Sequence, residues 1–195
     1  MSELGFDLYL DNDTINELAD AADRNLATPN DVENPTFKPG KTEGLGTWSE
    51  LFVVRDTALE APKDGPKDGS KMVFKAVLEV LPEKEGGFDK NAGKTHYYNG
   101  YIDKADLFDK SSKYYSMTAR RLGVVNSLLA ACGVPTDGGV AYAQWFNGEK
   151  PLVGQRTIAT VRKYQYEKKV NGQKTGEIVT AVDIDGFLGL GGPSA

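Results

Sequence analysis

Five segments with the alternation of β-strands, interrupted once by a long helix, set the strongest constraint on how this chain folds. The strand-like segments are rich in β-branched and aromatic residues and are bounded by turn residues. The strands are predicted over Trp48–Asp56, Lys71–Leu81, Thr95–Asp103, Thr157–Tyr166 and Glu177–Leu188. The helix is predicted between the third and fourth strands, with one apolar face made by Met117, Leu122, Val125, Leu128, Leu129 and Cys132.

Turn residues predict how these elements begin and end. Gly133, followed by Pro135, is typical of the end of a helix. Two successive Pro-Lys-Asp-Gly sequences, over 62–69, predict an exposed loop after the first strand. Gly86-Gly87 predicts another loop, and Asn171-Gly172 predicts the turn of a long hairpin between strands four and five. Gly100 is a candidate β-bulge within the third strand.

Residues 1–46 predict an acidic arm with a short helix and an extended linker. The first 40 residues carry nine acidic and only two basic side chains. Apolar residues from Ile15 to Leu26 recur at helical spacing, and Asp13 or Thr14 is the candidate cap of this helix. Prolines at 29, 35 and 39 predict a linker over 27–46. Because the arm carries the acid excess, the net charge of −5 does not exclude an anionic partner of the basic remainder.

One cysteine and one histidine limit the chemistry that the chain can perform. A single cysteine forms no internal disulfide, which favours an intracellular protein. The pair is too small for a Cys/His zinc cluster, so we expect a protein that is not an enzyme and has no cofactor or metal. The N-terminus shows no basic region followed by an apolar run, and no segment approaches the ~20 apolar residues that cross a bilayer. We therefore expect a soluble, cytoplasmic protein with no membrane partner.

The element order is that of the OB-fold, a five-stranded antiparallel barrel with one helix between strands three and four. The chain resembles the phage-type single-stranded DNA-binding proteins that use this fold. The resemblance covers residues 47–188 and is carried by Lys71–Leu81, the helix 117–134 ending in Gly-Val-Pro, Leu152-Val-Gly-Gln-Arg156, the hairpin Tyr164–Lys174 and Asp183–Phe187. It implies largely sequence-independent DNA binding in replication, recombination or repair, in the host cytoplasm if the protein is viral. The tail 189–195 is expected to be flexible, and it lacks the acidic residues common at the C-terminus of such proteins.

The candidate binding surface combines tyrosines with basic side chains. Single strands are bound by stacking of bases on aromatic rings and by pairing of Lys and Arg with phosphates. Arg162, Tyr164 and Tyr166 share one face of the long hairpin by strand alternation. In the OB-fold, strands two and three and the hairpins after strands one and four line the groove. The candidate DNA-binding residues are therefore Arg162, Lys163, Tyr164, Tyr166, Lys168, Lys169, Lys174, Tyr97, Tyr101, Lys63, Lys67 and Lys71.

Some of the aromatic and reactive residues have a structural interpretation. Strand aromatics are more often packed in a core than exposed to a ligand. Tyr97 and Tyr101 share one face of the third strand, so they point inward or outward as a pair. Trp48, His96 and Cys132 are expected to be structural residues, with Trp48 and Cys132 in the core.

Three other functions stay open. Asp183 and Asp185 are spaced to bind Mg²⁺ as in a nuclease, although no third acid clusters with them in the sequence. A protein-interaction or virion structural module would bind no nucleic acid, and a saccharide-binding module can use the same fold. The N-terminal arm has three candidate roles: a solvated tail, an acidic mimic of DNA in the basic groove, or a contact to replication proteins or a second subunit through Ile15, Leu18 and Leu26.

Overall fold

Strands and short helices alternate along the part of the chain that the computed structural model describes, namely residues 8–26, 47–82, 91–135, 138–148 and 150–190. The strands are β1 (Tyr9–Leu10), β2 (Thr47–Glu60), β3 (Lys71–Val80), β4 (Thr95–Asp103), β5 (Val140–Ala141), β6 (Arg156–Val170) and β7 (Gln173–Leu188). The helices are α1 (Asn12–Leu26), α2 (Lys104–Phe108), α3 (Tyr115–Ala131) and α4 (Tyr142–Asn147). The architecture is mainly β, as the sequence predicts.

The five predicted strands form one antiparallel sheet in the order β4-β3-β2-β6-β7. Alternation of side chains explains why one face of the sheet carries the core. On β3 every second residue is buried, at Met72, Phe74, Ala76, Leu78 and Val80, and Val73 on the opposite face is buried as well. The predicted strands are confirmed, and β2, β6 and β7 extend by several residues beyond the predicted bounds.

The sheet is open, so the prediction of a barrel is wrong in that respect. Within the described residues, β4 and β7 form the two edges and do not pair with each other. The edges nevertheless approach, because the rings of Tyr98 on β4 and Phe187 on β7 lie 6.0 Å apart, edge to face. Helix α3 packs against both edge strands. A helix laid along both edges thus takes the place of the strand pairing that would close a barrel.

Helix α3 is the long helix that the sequence predicts. It ends at Ala131, and Gly133 adopts a φ of +73°, as expected for a glycine after a helix. The residue before its first turn is Tyr114, which makes no side-chain capping bond. Within the described residues, two shorter helices, α2 and α4, accompany α3 between β4 and β6, so the prediction of a single helix there is wrong.

The N-terminal segment contributes to the same core as the sheet over its described residues. Leu8, Leu10 and Leu18 are buried in one cluster with the residues of β3 and α3. Strand β1 pairs with β5, and α1 packs against α3. Residues 8–21 are therefore held against the rest of the molecule by apolar contacts.

Two local predictions are corrected by the backbone geometry. The cap of α1 is Asp11, whose carboxylate accepts a hydrogen bond from the Thr14 amide at 2.8 Å, so neither Asp13 nor Thr14 is the cap. Gly100 is not a bulge, because the β3–β4 register is continuous. A Cβ at Gly100 would lie 2.7 Å from the Tyr98 hydroxyl oxygen, so the missing side chain makes room for the Tyr98 ring.

Several predicted features concern residues outside the described ranges. These are the linker over 27–46, the loop at Gly86-Gly87 and the tail beyond residue 190. Among the helices in the described ranges, none has the length and apolar character needed to span a bilayer.

Candidate functional site

The free end of the β6–β7 hairpin, residues 163–182, extends beyond the strands that flank it in the sheet. From here on we call this segment the arm; it is distinct from the acidic N-terminal segment, residues 1–46. Strand β2 pairs with β6 only from Arg156 to Arg162. Beyond that point, within the described residues, β6 pairs with β7 alone. Asn171 and Gly172 form the turn, both with positive φ, as a tight hairpin turn requires. Among the described residues the arm is therefore a two-stranded ribbon with no third strand beside it.

Arg162, Tyr164 and Tyr166 form a ladder along one face of this ribbon. The guanidinium carbon of Arg162 lies 5.8 Å from the centre of the Tyr164 ring. The Tyr164 and Tyr166 rings follow with centroids 6.0 Å apart and planes inclined by 32°. Strand alternation places the three side chains on the opposite side from Val161, which is fully buried. The ladder thus presents one cation and two aromatic rings in a row.

Asp185 contacts the end of the ladder that Arg162 forms. A register shift makes Asp185 the extra residue of a β-bulge in β7. Its carboxylate lies 3.1 Å from Arg162 Nε and 3.5 Å from Arg120 Nη2 on α3. Burial, with a smaller contribution from the Asp183 carboxylate, raises the pKa of the Tyr164 hydroxyl above its ordinary value, so this ring is neutral at physiological pH.

The lysines of the arm differ in how much charge they can offer. Lys168 pairs with Glu177 at 3.0 Å, and Lys174 pairs with Glu167 at 3.2 Å. Lys163 and Lys169 are exposed and form no ion pair with any residue that the structure describes. Ion pairs across the two strands therefore neutralise the charges of two of the four predicted lysines. The positions of the lysines in the sequence do not reveal this.

A second surface, which we call the sheet face, lies on the outer side of β3 and β4. Tyr97 is 71% exposed and Tyr101 is 52% exposed, whereas Tyr98 on the other side of the strand is buried. The predicted pair therefore points outward. Asn99 lies between the two tyrosines and faces Lys75 on β3. The sheet face thus combines two open rings with a neighbouring cation.

A pocket of 440 Å³ adjoins the sheet face. It is lined by Glu60, Ala61, Lys63, Lys67 and Lys75. Lys67 is fixed there, since its Nζ donates to the carbonyl oxygens of Pro62 at 2.9 Å and Lys63 at 3.4 Å. The sequence-based reasoning missed Lys75, which forms an ion pair with Glu60. The signal that could have identified Lys75 is its position four residues after Lys71, on the same face of β3.

Lys71 itself lies at the start of β3. Its Nζ is 3.1 Å from the Asp103 carboxylate, on the opposite residue of β4. Helix α3 links the two surfaces, because Arg121 donates to the Tyr101 carbonyl at 3.3 Å while its neighbour Arg120 reaches Asp185.

His96 and Cys132, whose side chains could take part in catalysis, lie in structural contacts. His96 Nε2 is 3.9 Å from Glu50 Oε2, and its ring packs against Phe52. Glu50 is distant in sequence, so spacing did not reveal this pair. Burial raises the pKa of the Cys132 thiol to about 11, which leaves it protonated at neutral pH. In the described part of the chain, no three His, Cys, Asp or Glu side chains cluster as metal ligands do, Asp183 and Asp185 included.

The twelve predicted residues fall into two groups, one on the arm and at its base, where Arg162 lies, and one on or beside the sheet face. The sheet-face group contains two exposed tyrosines, the arm group contains the exposed Tyr166 beside the half-buried Tyr164, and α3 contacts the strands that carry both groups. No protein-family model matches the chain, and no curated protein matches it significantly.

Proposed function

We propose that the protein binds single-stranded DNA with little sequence preference and protects exposed strands during replication, recombination or repair, without catalysing a reaction. The OB-fold is itself a partly open five-stranded barrel that binds oligonucleotides. The order of the five strands along the chain, the long helix after the third strand and the contact between Tyr98 and Phe187 support that assignment.

The observation that carries the proposal is the ladder of Arg162, Tyr164 and Tyr166. Bases stack on aromatic rings irrespective of their identity because every base has a π-face. Each such stack contributes roughly 1–3 kcal/mol by alanine substitution. A guanidinium that continues the row of rings adds a flat stacking partner, although Asp185 already pairs with its charge. The arm therefore offers the chemistry that sequence-independent binding requires.

The sheet face supplies the second contact in this proposal. Tyr97 and Tyr101 are exposed enough to stack bases, and the pocket beside them presents Lys63 and Lys67 to phosphates, whereas Lys75 is paired with Glu60. Lys67 is preoriented by its bonds to two carbonyl oxygens, which lowers the conformational entropy lost on binding. In the OB-fold the corresponding strands and hairpin line the groove.

Salt dependence and strand preference test this proposal together. Labelled oligo-dT, a duplex of equal length and oligo-rU are titrated with the full chain, and fluorescence anisotropy is measured at several salt concentrations. We expect oligo-dT to bind more tightly than duplex, with an affinity that falls as salt rises. Equal affinity for duplex and single strand, or no binding of either at low salt, would contradict the proposal.

A protein-interaction role is the second candidate, because the arm also carries solvent-exposed apolar side chains. Val170, Ile178 and Val182 are exposed there, and such residues are typical of protein contacts when they cluster. This alternative predicts a stable complex with another protein or a second copy and no affinity for nucleic acid. The same titration, together with sedimentation of the protein alone, separates the two functions.

A further inference from the structure

The ladder on the arm and the tyrosines of the sheet face lie on the same side of the five-stranded sheet. One row of opposite residues crosses the sheet from β6 to β4 and consists of Arg156, Val53, Glu79 and Thr95. Residues that lie opposite each other on neighbouring strands share a side, and so do residues two apart along one strand. Tyr97 follows Thr95 by two residues and Arg162 follows Arg156 by six, so the two surfaces share the outer side of the sheet.

Three side chains of β6 continue the ladder down to this row. We call Arg156, Ile158 and Thr160 the strip; the residues that alternate with them are buried on the other side of the sheet. Two apolar side chains lie beside the strip, because Leu51 of β2 and Leu188 of β7 both lie opposite Ile158. Leu188 is 58% exposed, and the other two apolar side chains are partly buried. The strip therefore joins the ladder to the row through a surface that solvent reaches.

Arg156 is the cation of the strip that can pair with a phosphate. Its side chain is exposed and forms no ion pair with any residue that the structure describes. The acids on the neighbouring strands are already paired. Glu79 accepts two hydrogen bonds from the Arg55 guanidinium, at 2.8 and 3.1 Å, and Asp56 pairs with Lys150. The charge of Arg156 is therefore available to a ligand on this side of the sheet.

The base of the ladder offers less charge to a phosphate. Asp185 pairs with both Arg162 and Arg120, and Asp183 lies opposite Arg162 in the β6–β7 register. Two carboxylates thus offset two guanidinium groups. A strand that stacks on the ladder meets Arg156 about 20 Å farther along the same side of β6, since six residues of a strand each extend about 3.4 Å.

We propose that one single strand occupies the arm and the sheet face together by running along the strip, and that Arg156 binds a phosphate of this strand between them. This inference rests on the proposed function and makes one continuous site of the two surfaces. From Arg156 to Tyr97 the path crosses three strand spacings and two residues, about 16 Å in all. Ile158 and Leu188 provide apolar contacts for bases along the strip. A nucleic-acid occupant is favoured over a protein because exposed rings at both ends, with an unpaired guanidinium between them, match a chain of bases and phosphates.

Removal of the charge at Arg156 tests whether the two surfaces share one strand. The wild-type chain, Arg156→Gln and Arg156→Lys are titrated with oligo-dT of about 4 and about 16 nucleotides, the ends of the range that an OB-fold covers. Fluorescence anisotropy is measured at several salt concentrations. Lys113→Gln is the matched control, because Lys113 is also exposed and forms no ion pair with a described residue, but lies between α2 and α3. A thermal melt of each variant checks that folding is intact.

The expected result is a loss of salt dependence that is specific to the long strand. For that strand, Arg156→Gln should reduce the slope of log affinity against log salt by about 0.7, which amounts to about fivefold in affinity over a tenfold range of salt. Arg156→Lys keeps the charge and should retain the wild-type slope, as should Lys113→Gln. The short strand should lose less than about twofold, because it can bind on the ladder or on the sheet face without reaching Arg156.

The number of bound strands gives a second measurement that needs no variant. The wild-type chain, at a concentration far above the Kd, is titrated with the long strand until the signal saturates. If the arm and the sheet face hold the same strand, saturation should occur at no more than one strand per chain.

Three results would overturn the inference while leaving the proposed function intact. The first is a wild-type slope in Arg156→Gln with the long strand. The second is an equal loss in Arg156→Gln with both strands, or in Lys113→Gln with the long strand. The third is saturation at two long strands per chain, which would assign the arm and the sheet face to separate sites. If the wild-type chain binds neither strand, the proposed function fails as well, and that result is distinct from the others.

Discussion

Tyr98 and Phe187 meet edge to face, with ring centroids 6.0 Å apart, although their strands form opposite edges of the sheet. The Tyr98 hydroxyl donates to the Arg121 carbonyl at 3.2 Å. Burial raises the pKa of this hydroxyl far above its ordinary value, so the side chain stays neutral and remains a donor. The two edges are therefore joined by a contact within the core and by α3, without a ladder of backbone hydrogen bonds.

Removing the Phe187 ring should destabilise the fold strongly. Phe187→Ala deletes a buried ring at the seam, and such substitutions cost about 3–5 kcal/mol of unfolding free energy. Tyr97→Ala is the matched control, since that exposed ring should change the free energy by about 0.5 kcal/mol or less. Urea denaturation monitored by circular dichroism measures both. A cost for Phe187→Ala no larger than that of the control would show that the seam contact contributes nothing.

The same substitution at two glycines should have opposite effects. Gly100→Ala would place a methyl group 2.7 Å from the Tyr98 hydroxyl oxygen, and overpacking of this kind costs about 1–3 kcal/mol. Gly123→Ala, on the exposed side of α3 with no atom within 4 Å of the new methyl, should stabilise by about 0.5–1 kcal/mol. Thermal melts of the two variants provide the comparison. Equal shifts in Tm would contradict the packing at Gly100.

The four lysines of the arm should contribute unequally to the salt dependence of binding. Lys163→Ala and Lys169→Ala should each reduce the slope of log affinity against log salt by about 0.7, the value for one phosphate contact on a single strand. Lys168→Ala and Lys174→Ala should reduce it less, because Glu177 and Glu167 already neutralise those charges. Anisotropy titrations at several salt concentrations give the slopes. Four equal reductions would contradict the role assigned to the ion pairs.

Cys132 should react slowly with alkylating reagents while the protein is folded. The thiolate is the reactive form, and burial raises the pKa of this thiol to about 11. The alkylation rate should therefore be low near neutral pH and should keep rising toward about pH 11. The protein unfolded in guanidinium is the control, with a thiol pKa near the ordinary value of about 8.5. Equal rates for the folded and unfolded chains would contradict this prediction.

The sequence predicts those helices and strands of this fold that depend on a local pattern of residues. Alternation on β3 and the glycine at 133 predict a strand and a helix end because each depends on a few neighbouring residues. The sequence does not predict that β4 and β7 remain unpaired, because this depends on how α3 packs between residues as far apart in sequence as Tyr98 and Phe187. Helices α2 and α4 were missed because five or six residues are too few to show a helical period.

The candidate site shows the same division. Strand alternation alone predicts that Tyr164 and Tyr166 share a face, and the structure places their rings in one ladder. The pairing of Lys168 with Glu177 depends on the register of the arm, which is set by shifts near Gly176 and Asp185 whose size the local sequence does not give. The amount of free charge on the arm therefore followed only from the structure.

The ladder itself gives the most direct test of the proposed function. The double variant Tyr164→Ala/Tyr166→Ala is compared with Tyr164→Phe/Tyr166→Phe and the wild type in anisotropy titrations of labelled oligo-dT. Stacking requires the rings but not the hydroxyl groups, so we expect the alanine variant to bind at least about tenfold more weakly, while the phenylalanine variant stays near the wild type. Wild-type affinity in the alanine variant would contradict the account.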